Sequence, residues 1–152
     1  MQKFFDQFDG VKETIVGYAN GNKENPTYLE VCNNSGHAET LKIKYDNKKI
    51  NLKKLLEYYF MIIDPTSLNK QGNDVGIQYR TGIYYEDKEP PKEIDEILKI
   101  QKDKYEKPLM VEVKRLVSFY PAEEYHQKYL EKNPGGYCHI QKKMFSLFYY
   151  NY

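Results

Sequence analysis

The stretch TLKIKYDNKKINLKKLLEYYFMIID, residues 40–64, changes its hydrophobic period partway along. Apolar and polar residues alternate from Leu41 to Tyr45, which predicts a half-buried strand. Apolar residues then recur at helical spacing from Leu52 to Ile63, which predicts an amphipathic helix that ends before the following proline. A one-sided strand joined to a one-sided helix indicates a sheet with helices packed against it.

The flanking sequence extends the same pattern in both directions. Further strands are predicted at ETIVGYAN (13–20), IQYRTGIYY (77–85) and LMVEVK (109–114), and further helices at residues 2–10, after Pro90 and Pro91, and at AEEYHQKYLEKN (122–133). We therefore expect one α+β domain, a two-layer sandwich with a mixed or antiparallel sheet. No repeat or linker divides the chain.

Two long segments lack any hydrophobic period. Residues 21–39 and 65–76 are rich in glycine, proline and asparagine and are predicted to be ordered loops. Long ordered loops in compact domains usually carry function. We look for chemistry there.

Composition excludes several classes of function. The 23 Lys and Arg residues nearly balance the 22 Asp and Glu residues, so no broad field favours nucleic acid or an anionic membrane. No apolar run approaches the ~20 residues of a membrane span. The start of the chain has no export signal and the chain has only two cysteines, which indicates a reducing cytoplasm.

Four polar residues in or beside the loops are candidates, and each has an ordinary alternative. Glu39, at a loop–strand junction, is either a buried acid with a raised pKa or a surface anion. Asp74 is either a functional carboxylate or a residue that orders its turn. Tyr28 and Tyr79 are site donors or two of the core tyrosines among 16.

The thiols and imidazoles are the remaining candidates. Cys138 follows two glycines in NPGGYCHI, residues 133–140, on what reads as a flexible arm, whereas Cys32 reads as a small buried hydrophobe. From the residues alone, the two thiols form a disulfide or act separately. The three histidines, His37, His126 and His139, share no metal-ligand spacing, so no metal is expected.

Several blocks in order resemble the peptide methionine sulfoxide reductase A family. They are VGYANG, NPTYLEVC, GHAE, DPTSLNKQGNDVGIQYRTGIYY and FYPAEEYHQKYLEKNPGGYC. The similarity covers residues 1–140 as one reductase domain with a ferredoxin-like core. Residues 141–152 form a tail without a counterpart and without an assigned role.

The resemblance implies a function and a role for each candidate. The family reduces methionine S-sulfoxide, free or in oxidised proteins, and repairs oxidative damage as a monomer without a cofactor. Glu39 matches its proton donor, Tyr28 and Tyr79 match hydroxyls that bind the sulfoxide oxygen, and Asp74 matches the carboxylate that orders them. Cys138 matches the resolving thiol, and thioredoxin is the implied reductant.

The front of the chain departs from the family pattern. Family members have a first strand and then glycine–cysteine–phenylalanine–tryptophan–glycine, with the cysteine as nucleophile. The chain has no tryptophan, and MQKFFDQFDGV resembles the residues that follow that motif. We expect the first strand to be missing and the nucleophile, cysteine or selenocysteine, to lie upstream of Met1. Read alone, these residues are expected to be inactive.

Three alternatives stay open. The chain is a non-catalytic relative that binds methionine sulfoxide, it is an inactive remnant, or Cys32 replaces the nucleophile. In the resembling family, the position of Cys32 is not catalytic.

Overall fold

The computed structural model describes residues 1–146. Residues 147–152, half of the predicted tail 141–152, lie outside the described residues. The helices are α1 Gln2–Asp6, α2 Tyr28–Cys32, α3 Leu52–Ile62, α4 Lys92–Lys102 and α5 Tyr129–Lys132. The strands are β1 Val11–Ala19, β2 Ala38–Tyr45, β3 Lys70–Gln71, β4 Asp74–Val75, β5 Gly82–Tyr85, β6 Glu112–Arg115 and β7 Phe119–Pro121. Short 3₁₀ turns span Ile77–Tyr79, Glu124–His126 and Lys142–Ser146.

The main sheet is antiparallel, with strand order β2-β1-β7. Its central strand, β1, pairs along its length with β2, so that Tyr18 lies opposite Glu39. On the other side Tyr18 lies opposite Tyr120 of β7. The sheet therefore fixes the start of β2, and with it Glu39, against a strand buried at that end.

A second, separate pair of strands is parallel. In this pair β5 lies beside β6, with Gly82 opposite Glu112 and Tyr85 opposite Arg115. Parallel neighbours need a long crossover, and α4 supplies it. The strands β3 and β4 form a small hairpin of their own. The α+β class with mixed pairing is confirmed, but the sheet is open, and no described strand joins β2 to β5.

The core is aromatic and aliphatic and lies between the helices and the sheets. Phe4, Phe5 and Phe8 of the first helical segment are at most 5% exposed and meet edge to face. They share one cluster with Phe60 of α3 and Ile97 of α4. Each such side chain contributes about 1.5–3 kcal/mol when it is buried, so the packing of these helices is a large part of the stability.

Four sequence-based expectations for local structure are wrong in detail. The loop 21–39 contains α2, and residues 65–76 contain the β3–β4 hairpin. The strand expected at 77–85 begins only at Gly82, after a 3₁₀ turn. The helix expected at 122–133 is broken because Lys128 has φ of +54°, a left-handed conformation that ends one turn and starts the next.

Candidate functional site

A buried histidine orders the first long loop. His37 is fully buried, its Nδ1 accepts the backbone N–H of Gly21 at 3.1 Å, and its Nε2 lies 2.7 Å from the carbonyl oxygen of Lys23. Because Nδ1 accepts, the proton is on Nε2, which donates to that carbonyl. A Cβ on Gly21 would lie 2.2 Å from the imidazole, so only glycine fits there. These contacts hold the loop against the start of β2.

The short helix α2 places Tyr28. It begins with a capping box: the Thr27 hydroxyl accepts the N–H of Glu30 at 3.3 Å, and the Glu30 carboxylate accepts the N–H of Thr27 at 3.2 Å. Cys32 follows Tyr28 by four residues, on the same helix face, and its thiol interacts with the Tyr28 hydroxyl. The Tyr28 hydroxyl and the Cys32 thiol thus come from one turn of the same helix.

The β3–β4 hairpin and the 3₁₀ turn after it place Asp74 and Tyr79. The hairpin turns at Gly72, whose φ of +56° suits glycine. The N–H of Tyr79 then donates to the carbonyl of Gly76 at 3.0 Å. Asp74, which begins β4, comes from the same compact unit.

Arg80 joins this unit to the first loop. Its guanidinium donates to the carbonyl of Gly36 at 2.9 Å and to the Glu112 carboxylate at 2.8 Å. The Arg80 side chain is 14% exposed, so the ion pair is only weakly screened by solvent. Arg80 therefore fixes Tyr79 relative to the segment that precedes Glu39.

One cavity of about 490 Å³ unites most of the candidates. Its polar wall includes Glu39, Asp74 and Tyr79, and its far side includes Cys138. Tyr28 reaches this group through Tyr79, since their hydroxyl oxygens lie 3.4 Å apart. The rest of the wall is largely apolar and comes from β2, α3 and β5: Leu41, Ile43, Leu52, Leu55, Leu56, Tyr59, Ile63 and Ile83.

The electrostatics of the cavity favour protonated groups. Burial raises the pKa of Glu39 to about 7, and the nearby charge of Asp74 adds to the effect. A hydrogen bond to Tyr79 raises the pKa of Tyr28, with burial and Cys32 contributing, and burial raises the pKa of Tyr79. Near neutral pH the pocket therefore offers a carboxylic acid and two phenol hydroxyls, all able to donate protons.

Cys138 lies against the protein and does not extend into solvent. Its neighbour Tyr137 accepts the N–H of Asn73 at 2.9 Å through its hydroxyl, while His139 packs over Gly72. Cys138 itself packs on the aromatic core. Both cysteines are free thiols, so the disulfide alternative does not describe this state.

Metal ligation finds no support in the geometry. Within residues 1–146, no group of three His, Cys, Asp or Glu side chains is arranged to hold a metal ion. His37 uses both ring nitrogens on backbone groups, and His126 packs between two tyrosine rings. Over the same residues, no helix is long and apolar enough to cross a membrane.

Sequence reasoning missed Arg80 and Glu123, and it considered His126 only as a metal ligand. Arg80 did not stand out because 77–85 was predicted as one strand. His126 lines the cavity, and its ring lies 4.8 Å from that of Tyr28. Glu123 did not stand out within the predicted helix 122–133. The capping box Thr27–Glu30 was the one available signal for α2, since Ser or Thr followed three residues later by Glu marks a helix start.

The chain matches known proteins along nearly its whole length. The family model described as peptide methionine sulfoxide reductase matches residues 1–149. "Peptide methionine sulfoxide reductase MsrA" of Lachnoclostridium phytofermentans is 59% identical over 140 residues, which are 91% of this chain and 84% of that protein.

Two solved structures share the fold. Reduced Mxr1 of Saccharomyces cerevisiae is 35% identical with a TM-score of 0.85, covering 92% of this chain and 83% of its own. Methionine sulfoxide reductase A of Corynebacterium diphtheriae is 34% identical with a TM-score of 0.84, covering 90% and 71%.

Fold and site together define the class. An α+β domain with a carboxyl of raised pKa, a tyrosine hydroxyl and a thiol around one cavity fits the class of oxidoreductases. The family follows from the comparisons: this chain belongs to the peptide methionine sulfoxide reductase family.

Proposed function

We propose that this chain reduces methionine S-sulfoxide, free or in oxidised proteins, once a nucleophilic thiolate or selenolate is supplied ahead of Met1. The observation that carries the proposal is the meeting of Glu39, Asp74 and Tyr79 in one cavity, with the Tyr28 hydroxyl 3.4 Å from that of Tyr79. The name of the matched family supports the substrate class.

Tyr28 and Tyr79 bind the sulfoxide oxygen. That oxygen carries partial negative charge and accepts two hydrogen bonds, and two adjacent hydroxyls supply them once the Tyr28 hydroxyl turns its proton from Tyr79 to the sulfoxide. Their raised pKa values keep both hydroxyls protonated. The pair thereby orients the sulfoxide sulfur toward the nucleophile.

Glu39 donates the proton. The nucleophile attacks the sulfoxide sulfur while Glu39 protonates its oxygen, and the oxygen then passes to the nucleophile as a sulfenic or selenenic acid. Methionine leaves as a thioether, reduced by two electrons, and the nucleophile is oxidised by two. A pKa of about 7 leaves a large fraction of Glu39 protonated near neutral pH.

Cys138 completes the cycle. Its thiol condenses with the sulfenic acid, releases water and forms a disulfide. A dithiol reductant such as thioredoxin then reduces that disulfide by thiol exchange. The position of Cys138 on the wall of the same cavity supports this role.

The setting of the reaction is part of the proposal. Two free cysteines support a reducing, cytoplasmic compartment. The balanced charge, +1 at pH 7, supports a protein that takes neither nucleic acid nor membrane as partner, and the resemblance to the family implies a monomer. Size-exclusion chromatography with light scattering tests the monomer, and a dimer would contradict it.

The decisive experiment compares two proteins. One is the 152-residue chain; the other, the extended protein, carries a strand and the Gly-Cys-Phe-Trp-Gly motif directly ahead of Met1. With dithiothreitol, we expect S-sulfoxide reduction by the extended protein and no appreciable turnover by the chain alone, because covalent catalysis needs the nucleophile. Equal turnover would assign the nucleophile to Cys32 or Cys138.

A second candidate function is binding without turnover. It is favoured by the polar pocket that Glu39, Asp74 and Tyr79 form within the residues described. This reading predicts that a peptide containing methionine S-sulfoxide binds the chain and that the extended protein gains no activity.

A further inference from the structure

The Glu123 carboxylate collects hydrogen bonds from two tyrosines behind Tyr28. The Tyr18 hydroxyl donates to its Oε1 at 3.2 Å, and the Tyr125 hydroxyl donates to its Oε2 at 2.6 Å. Tyr18 is 1% exposed, so its hydroxyl has no access to bulk water as an alternative partner. Glu123 directly follows the end of the main sheet, and its position is therefore well defined.

The same carboxylate faces Tyr28 itself. The backbone N–H of Tyr28 donates toward it. The His126 ring lies between the Tyr28 ring, at 4.8 Å, and the Tyr125 ring, at 4.3 Å. Glu123 thus contacts the main chain of Tyr28 and, through Tyr125, the tilted His126 ring that contacts the Tyr28 ring.

Glu123 is present as an anion. Burial raises its pKa, but the hydrogen bonds from Tyr125 and Tyr18 outweigh burial, so that the net pKa is lowered. Hydrogen bonds to a charged acceptor are about twice as strong as neutral ones. A neutral amide at this place would weaken all of these contacts together.

We propose that Glu123 is a positioning residue: it holds Tyr28 so that the Tyr28 hydroxyl meets that of Tyr79, and it thereby sets the affinity for the sulfoxide oxygen. This inference rests on the proposed function. Glu123 does not line the cavity, and we assign its effect on the site to the placement of Tyr28.

The first test is spectroscopic and needs no substrate. In the 152-residue chain with labelled tyrosines, NMR should detect the approach of the hydroxyl-bearing ends of the Tyr28 and Tyr79 rings, which we call the ring contact. We expect Glu123→Gln to abolish this contact and Glu124→Gln to preserve it. Glu124 is the matched control because it is the next residue and its side chain is 90% exposed. A contact that survives in Glu123→Gln overturns the proposal.

The second test is a double-mutant cycle on binding of N-acetyl-methionine S-sulfoxide. We expect Glu123→Gln and Tyr28→Phe each to raise the dissociation constant about fivefold or more, and the double variant to be no weaker than Tyr28→Phe. If the effects of the two substitutions on the dissociation constant multiply in the double variant, Glu123 acts independently of Tyr28 and the proposal is wrong.

These tests distinguish a failure of the proposed function from a failure of the role proposed for Glu123. If neither the 152-residue chain nor the extended protein binds the sulfoxide, the proposed function fails, and the ring contact still decides the role of Glu123. If Glu123→Gln does not fold, Glu123→Asp takes its place. This variant keeps the negative charge but has a shorter side chain, so we expect it to lose the ring contact between Tyr28 and Tyr79. A ring contact that persists in Glu123→Asp would overturn the proposal.

Discussion

The hydroxyl oxygens of Tyr28 and Tyr79 lie 3.4 Å apart although the two residues are separated by 51 positions in the chain. Tyr28 comes from a capped helix inside one loop, and Tyr79 from a 3₁₀ turn after the other. Neither segment positions its tyrosine alone. The pair exists because Arg80 and His37 hold the two segments against the same end of the sheet.

Removing one hydroxyl of this pair is expected to weaken catalysis by the extended protein. Tyr79→Phe leaves the sulfoxide oxygen and Tyr28 each short of a partner, at a cost of about 1–3 kcal/mol. This corresponds to a loss of roughly tenfold to hundredfold in kcat/KM, which steady-state kinetics would measure. Tyr105→Phe, on an exposed tyrosine outside the cavity, is the control. Equal effects of both variants would contradict the assigned role.

Glu39 should make stability depend on pH. Its folded-state pKa, about 7, lies above the ordinary value of 4.5, so the native state binds the proton more tightly. The extra stability that protonation of Glu39 gives the folded state is fully present below pH 4.5, and it is lost as the pH rises through about 7. Glu39→Gln should therefore be more stable than the unsubstituted chain at pH 8, by about 1–3 kcal/mol.

Urea denaturation at pH 5 and pH 8 measures this difference. The advantage of Glu39→Gln should be smaller at pH 5 than at pH 8. An advantage that stays constant with pH would mean that the Glu39 carboxyl titrates normally. In the extended protein the same titration predicts that turnover falls as the pH rises through about 7, since the proton donor is lost.

Gly21→Ala is expected to disturb the site indirectly, by displacing His37. The new methyl group would lie 2.2 Å from the His37 ring, which must move and release its two backbone partners. Forced overpacking of this kind costs about 1–3 kcal/mol, seen as a lower urea midpoint. Gly135→Ala is the matched control, since nothing lies within 4 Å of its added Cβ. A neutral Gly21→Ala would show that the loop adapts.

Cys138→Ser should separate the two halves of the cycle in the extended protein. A single turnover should persist, because the nucleophile and Glu39 are intact. Thioredoxin-driven recycling should stop, because the sulfenic acid has no thiol partner. Rapid-quench and steady-state assays measure these phases, with Cys32→Ser as the control. Normal recycling by Cys138→Ser would remove Cys138 from the mechanism.

The residues of the site could be predicted from the sequence, but their arrangement in space could not. Glu39, Asp74, Tyr28 and Tyr79 were identified from their place in unpatterned loops and from family resemblance. Their mutual distances were not accessible, because they depend on contacts between segments far apart in the chain. Glu123 shows the limit most clearly: in sequence it is one acidic residue within an apparent helix, and only the fold gives it three donors.

Cys138 shows a similar difference. Two preceding glycines indicate a free arm, since glycine places little restriction on the backbone. The structure docks the thiol on the core because Tyr137 bonds to the hairpin at Asn73 and His139 packs on Gly72. Local conformational freedom was visible in the sequence, but the tertiary contacts that limit it were not.

The sequence by itself determined the α+β class, the helices α3 and α4 and the strands β1 and β2, because hydrophobic periodicity records which face of an element is buried. It also determined the family, since the matching blocks follow one another along the chain. Only the tertiary structure decided that β5 and β6 pair apart from the main sheet and that residues of β2, α3 and β5 line one cavity. It alone raised the pKa of Glu39 to about 7, because burial is a property of the folded surroundings and not of the residue.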